Sequence, residues 1–273
     1  MPHPLVAALA GAALLAPRAP RSPSPAPPLV TVVATDYRLA LPSSLPAGPT
    51  TFRLVNHGRE LHHLMLVRLQ AGRSAADFVA ALKAGGPPPT WAAEAGGPNA
   101  VGPGDTSLAA TVPLEAGRYA AICIVPGPDG VPHVMKGMSR DLLVTPATTT
   151  VALPAAPDDT IRLFDYGFLA SRPLAAGTHR VLVRNVGKQT HELEIARLLP
   201  GKTPADLGAW AQKMAGPPPA HFLGGVSPIA ARRENELALT LTPGHYVLLC
   251  FVPDAVDGKP HLAHGMVHDV VVR

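Results

Sequence analysis

Gly117-Arg118-Tyr119-Ala120-Ala121-Ile122-Cys123-Ile124-Val125-Pro126 and Gly244-His245-Tyr246-Val247-Leu248-Leu249-Cys250-Phe251-Val252-Pro253 are the two stretches that decide how this chain is read. Each opens with Gly-x-Tyr, continues as an apolar run, sets a cysteine near its far end and stops at proline. A short apolar run bounded by turn residues reads as a strand buried on both faces. The chain has only two cysteines, and both fall at the same place in the two runs. That coincidence points to an internal duplication.

The duplication extends outward from these strands. Asp36-Tyr37 recurs as Asp165-Tyr166, Leu45-Pro46-Ala47-Gly48 as Leu174-Ala175-Ala176-Gly177, Asn56 as Asn185, and Gly86-Pro87-Pro88-Pro89 as Gly216-Pro217-Pro218-Pro219. The period is about 128 residues and drifts by one either way, as loop insertions between duplicated units would make it. Strand patterns recur in both units: Leu29 to Thr35, Thr51 to Val55, Leu64 to Leu69 and Asp141 to Val144, then Ile161 to Phe164, Arg180 to Arg184, Glu192 to Ala196, Glu236 to Leu241 and Val267 to Val272. One short helix interrupts each unit. Ser74-Ala75-Ala76-Asp77 and Thr203-Pro204-Ala205-Asp206 have the form of capping boxes, the second with proline at the first helical position. Leu207, Trp210, Ala211 and Met214 lie on one face and read as a lid on the sandwich.

Composition agrees with two small all-β domains. The 273 residues include 33 prolines and 25 glycines, spread as punctuation between apolar runs, and are 47% hydrophobic and only 15% charged. This excludes a disordered polyelectrolyte. The formal charge of +4 comes without a basic cluster and aromatics are 4%, so no nucleic-acid partner is expected. Leu5 to Ala16 is apolar but too short to span a bilayer, and a Pro/Ser/Arg-rich tether follows it. The expected division is therefore a signal peptide and tether over 1–28, a first domain over 29–146, a linker over 147–158 and a second domain over 159–273. Export to the periplasm or outside the cell follows, with no integral span after signal removal. Two cysteines in an exported protein would ordinarily suggest a disulfide. Their equivalent repeat positions argue for two separate thiols instead.

Each unit carries His, Cys, His and Met in one order: His62, Cys123, His133 and Met138, then His191, Cys250, His261 and Met266. A lone buried cysteine is usually an inert small hydrophobe, and one His-x4-Met spacing means little. The same set occurring twice, at one repeat position, favours metal ligation. His57, His63, His264 and His268 read as solvated loop histidines near the sites, and Asp36-Tyr37 with its copy as a strand-end turn and a core aromatic.

In these residues the chain resembles the blue-copper cupredoxins, especially the rusticyanin- and sulfocyanin-like branch. The resemblance rests on Asn56 to His62 and on Tyr119 through Cys123, Pro126, His133 and Gly137-Met138. The second copy carries it on Asn185 to His191 and on Tyr246 through Cys250, Pro253, His261 and Gly265-Met266. It implies two tandem Greek-key β-sandwiches with the ligands at one pole, holding at most one copper each through two imidazoles, a thiolate and an axial thioether. That donor set suits an ion cycling between Cu(II) and Cu(I). Two departures stand out. Nine residues separate Cys123 from His133 and ten separate Cys250 from His261, where two to four are common in the family. Such inserts, Gly127 to Gly130 and Asp254 to Gly258, can be extruded as hairpins that leave Pro126 and Pro253 in place. The residue after the first histidine, often small and polar, is His63 in one unit and Glu192 in the other.

Two-domain copper oxidases and nitrite reductases have a similar architecture, but they need histidines beside the cysteine to wire a second copper centre. The neighbours here are Ile122 and Ile124, or Leu249 and Phe251. The expectation is accordingly not an enzyme but an exported copper protein that transfers single electrons to or from a protein partner. Copper carriage or storage with a copper-transfer partner, and a metal-free structural or interaction module, are the alternatives.

Overall fold

The computed structural model describes residues 26–86, 88–147, 156–214 and 216–273. The expected signal peptide and part of the linker lie outside these residues. Among the described residues no helix is long and apolar enough to cross a membrane.

The first half builds two sheets. One carries β1 (Leu29–Thr35), β2 (Arg38–Ala40), β4 (Gly48–Asn56) and β7 (Ala109–Leu114) in the order β2-β1-β4-β7. The other carries β3 (Ser44–Pro46), β5 (Met65–Leu69), β6 (Ala92–Gly96), β8 (Gly117–Ile122) and β9 (Ser139–Thr145) in the order β6-β5-β8-β9-β3. β1 runs parallel to β4, and the chain changes sheet between β4 and β5 and between β7 and β8, which is a Greek-key sandwich. The second half repeats this order: β11 (Gly167–Ala170), β10 (Asp159–Phe164), β12 (Gly177–Asn185) and β15 (Glu234–Leu241) in one sheet, and β14 (Ala220–Ile229), β13 (His191–Leu198), β16 (Gly244–Leu249) and β17 (Val267–Val272) in the other.

Burial alternates along the strands, as in β1, where Val30, Val32 and Ala34 point inward. Val32, Phe52, Leu66 and Tyr119 meet in the first core, and Ile161, Val183, Leu193 and Tyr246 in the second. Each such side chain contributes about 1.5–3 kcal/mol by leaving water. The phenols stay satisfied: Tyr119 Oη donates to Glu115 O at 3.1 Å and Tyr246 Oη to Thr242 O at 2.8 Å. Both expected capping boxes form, on α1 (Ala75–Ala84) and α2 (Pro204–Ala211). α2 is shorter than its apolar pattern suggested, and Met214 lies beyond it with positive φ.

The two halves are fused through both sheets. Equivalent strands pair antiparallel: β7 with β15, matching Thr111 to Glu236 and Ala109 to Ala238, and β6 with β14 at Ala95 and Ile229. The result is one eight-stranded and one nine-stranded sheet. Four strand edges are thus covered that would otherwise offer unpaired backbone to another chain. This pairing also brings the cysteine-bearing loops of both halves to a common cavity of about 280 Å³.

Candidate metal centres

The loop after β4 delivers the first histidine. Asn56, fully buried at its end, donates from Nδ2 to Glu60 O and Val101 O at 2.7 and 2.9 Å and accepts from the Gly58 amide at 2.8 Å. Asn185 makes the same three bonds with Gln189 O, Ile229 O and the Gly187 amide. One side chain therefore folds each turn so that His62 or His191 points inward.

The cysteine and second histidine come from the far end of β8 and β16, which stop one residue before Cys123 and Cys250. The long inserts do fold out as small hairpins, closed by bridges from Pro126 to Pro132 and from Pro253 to Pro260. A single 3-10 turn follows, His133–Lys136 or His261–His264. It ends at Gly137 and Gly265, whose φ of 101° and 95° favours glycine. That reversal brings Met138 and Met266 back into the apolar clusters that hold Cys123 and Cys250. All eight expected site residues are fully buried.

His62, Cys123 and His133 converge, as do His191, Cys250 and His261. In the first centre the Nδ1 atoms of His62 and His133 are 3.0 Å apart, and Cys123 Sγ lies 4.0 and 3.5 Å from them. His62 Nε2 faces Asp36 Oδ1 at 2.7 Å and His133 Nε2 faces Glu60 Oε2 at 2.8 Å. A carboxylate only accepts, so each Nε2 carries the ring hydrogen, and both Nδ1 lone pairs then face each other and the sulfur. Two lone pairs at that separation repel unless a proton or cation lies between them. A point equidistant from three atoms 3.0, 3.5 and 4.0 Å apart is about 2.1 Å from each, close to bonding length for a transition ion on nitrogen and sulfur. The arrangement fits an ion, and two imidazoles, a thiolate and a nearby thioether form a donor set that favours copper.

The second centre matches it with one difference. His191 Nε2 donates to Asp165 Oδ1 at 2.6 Å, and the two Nδ1 atoms are again 3.0 Å apart. His261 Nε2, however, meets Gln189 Oε1 at 3.4 Å and the Asp254 carboxylate only at 3.8 Å. Gln189 stands where the first centre has Glu60, and Tyr166 Oη and Gln189 Nε2 both donate to Asp254. The second histidine is thus held more tightly in the first centre.

Burial dominates the local ionisation. It pushes the Cys123 thiol up to about 12 and the Cys250 thiol up as well, with the Glu192 carboxylate adding to the latter. Burial lowers His62, His133 and His191, while the Asp36, Glu60 and Asp165 carboxylates pull each back up. Burial alone would raise Asp36, but bonds from His62 and the Arg59 amide hold it below its ordinary value. Without an ion the sulfurs are therefore thiols, and an ion binding there must displace a proton.

Several residues that matter here escaped sequence reasoning. Asp36 and Asp165 are not mere turn residues but orient the first histidines, and Tyr37 packs its ring on His133 at 4.9 Å while its hydroxyl donates to Glu60. Their recurrence in the repeat was the available signal. His63 is no solvated loop histidine: it is buried, and its Nε2 accepts from the Ile124 amide at 2.9 Å. Glu192 takes the equivalent place and accepts from the Phe251 amide at 2.7 Å. The His63 and Glu192 amides each donate to the neighbouring sulfur at 3.4 Å. Cys123 and Cys250 are unlinked, as their repeat positions implied.

No family model matches the chain, and no curated protein does. Solved structures similar to it include the copper-containing nitrite reductase of Thermus scotoductus, at 13% identity over 91% of this chain and 62% of that one, with a TM-score of 0.27. This chain thus spans less than two thirds of that protein. Auracyanin A, a blue copper protein of Chloroflexus aurantiacus, is 23% identical over 44% of this chain and all of its own, with a TM-score of 0.32. A multicopper oxidase is 13% identical over 90% of this chain and 88% of its own, with a TM-score of 0.26. The expectation that the chain is not an enzyme is corrected here: nitrite reductases and multicopper oxidases stand among its similar structures beside auracyanins. Apolar neighbours of the cysteines were too narrow a ground for that exclusion.

Proposed function

We propose that this is an exported, two-domain copper protein that passes single electrons to or from a protein partner. Its domains span residues 29–146 and 159–273, joined by the 147–158 linker. In the first, His62, Cys123, His133 and Met138 would hold the ion; in the second, His191, Cys250, His261 and Met266 would do so. Bound copper would supply a one-electron couple at each site. The chain's own part is to keep the donors still. Asp36 and Glu60 fix two ring orientations, Asn56 fixes the loop, and the His63 amide donates to the sulfur. Donors held this way need little rearrangement when the charge on the ion changes, which favours rapid transfer.

The observation that carries the reading is the pair of facing Nδ1 atoms, 3.0 Å apart beside a buried sulfur in both halves. A metal-free packing module has no use for lone pairs aimed at one another. The test is redox cycling of the copper-loaded chain. An intense visible thiolate-to-copper band that bleaches with ascorbate and returns with ferricyanide is expected. Tight binding without such a band would replace electron transfer by copper carriage, and failure to bind would leave a structural module.

A further inference from the structure

The sulfurs of the two centres are joined by an unbroken chain of polar contacts through three buried side chains. The His63 amide donates to Cys123 Sγ at 3.4 Å, and the His63 ring meets Asn99 Oδ1 through Nδ1 at 3.3 Å. Asn99 Nδ2 donates to Glu192 Oε2 at 3.1 Å, and the Glu192 amide donates to Cys250 Sγ at 3.4 Å. The direction of every link is fixed. His63 Nε2 accepts from the Ile124 amide, so its hydrogen is on Nδ1 and points at Asn99. Asn99 Oδ1 also accepts from the Ala100 amide at 3.0 Å, while Nδ2 faces Leu193 O and Val226 O at 3.4 Å. A flipped amide would set donor against donor at one end and acceptor against acceptor at the other. His63, Asn99 and Glu192 are 3%, 2% and 5% exposed, and all three line the cavity shared by the two halves.

Packing alone does not explain the arrangement. His63 and Glu192 hold the same repeat position, each beside its own first histidine, yet they are chemically unlike. Asn99 stands between them, at the position where the second copy has Ser227. A single asparagine accepts from one side and donates to the other, so a histidine on one face and a carboxylate on the other complete it. Symmetric residues could not.

We infer that His63, Asn99 and Glu192 form a bridge through which the two centres exchange an electron within the chain, Asn99 being its positioning residue. The inference rests on the proposed copper function. In the step one electron leaves the reduced centre and arrives at the oxidised one; no bond forms or breaks and no proton leaves the bridge. The two centres then act as a pair able to take up two electrons in sequence from one side and release them singly.

The test uses the full chain loaded with copper at both sites and given a substoichiometric pulse of a photogenerated one-electron reductant. Redistribution between the centres should be first order and independent of protein concentration. Asn99→Ala should slow it about tenfold, equivalent to about 1.4 kcal/mol at the barrier, while both visible bands and both midpoint potentials persist. Should Asn99→Ala fail to fold, Glu192→Gln turns an amide donor toward the Asn99 donor and should slow redistribution likewise. A copper-free readout is the Asn99 side-chain amide resonance, which should shift when zinc fills either centre singly in the Cys123→Ser or Cys250→Ser chain. Redistribution that depends on protein concentration, an unchanged rate in the variants, or a resonance that answers to one centre only would each overturn the bridge. Absence of any thiolate-to-copper band would overturn the underlying copper reading instead.

Discussion

Gly58→Ala should disable the first centre and spare the second. A Cβ built on Gly58 would fall 2.5 Å from His62 Nε2 and 2.9 Å from its Cδ2, and would also collide with Asp36 Oδ1. Gly58 is not among the residues with positive φ, so alanine brings no backbone strain and the effect is confined to that collision. The ring must swing away, and its bond to Asp36 is lost. A hydrogen bond to a charged group is worth about 1.5–3 kcal/mol, and losing the outer partner of a metal-bound histidine typically weakens binding about 10–100-fold. The assay is copper titration of Gly58→Ala in a Cys250→Ser chain, where only the first centre reports. Affinity should fall within that range. Gly187→Ala in the Cys123→Ser chain should mirror it, because its Cβ would meet His191 Nε2 at 2.6 Å. Unchanged affinity in the Gly58 variant, or an equal loss at the second centre, would refute the claim that the Asp36–His62 contact builds the site.

Glu60→Ala should weaken copper at the first centre about tenfold, since His133 loses the carboxylate 2.8 Å from its Nε2; Asp254→Ala should do less at the second, where the carboxylate is 3.8 Å away. Titrating each single-site chain compares them. Tyr119→Phe should cost about 1 kcal/mol of unfolding free energy in urea, the net worth of its bond to Glu115 O, with no effect on either visible band. Acid should destabilise the copper-free protein. Burial lowers His63 from 6.5 to about 4, so its contribution is whole above pH 6.5 and is lost as pH falls toward 4, about 3 kcal/mol in all. His261, also lowered to about 4, acts with the same sign. Glu192, raised from 4.5 to about 7, opposes them by removing stability as pH rises between those values. Urea melts across this range should flatten in His63→Gln; an unaltered slope would contradict the assignment.

The duplication made much of this architecture legible. Strands such as Leu29–Thr35 and Val267–Val272 announce themselves by β-branched runs, and eight ligand candidates follow from one motif found twice. What stayed hidden has a common cause. β6 and β14 are rich in alanine and glycine, which gives them no clear apolar alternation, and the short alternation of β7 is masked by Ala109 and Pro113. Gly224 and Gly225, both with positive φ, break the register where β14 crosses between halves, and a Cβ on Gly225 would strike Leu193 O. These strands fuse the two sandwiches, so their absence from the sequence reading concealed the shared sheets. Asp36, Glu60 and Asn99 act across long chain separations, and no local pattern marks a residue whose partner is chosen by the fold. The cysteine neighbours Ile124 and Phe251 were read correctly as apolar, but they could not decide between an electron carrier and an enzyme.

Copper content and the visible spectrum of one preparation, measured together after loading, bear most directly on the central claim. Two coppers per chain are predicted, with an intense thiolate band that loses one part in Cys123→Ser, the remainder in Cys250→Ser and everything in the double variant. Bound copper with a spectrum indifferent to both substitutions would mean that the sulfurs are packing and that the ion sits elsewhere.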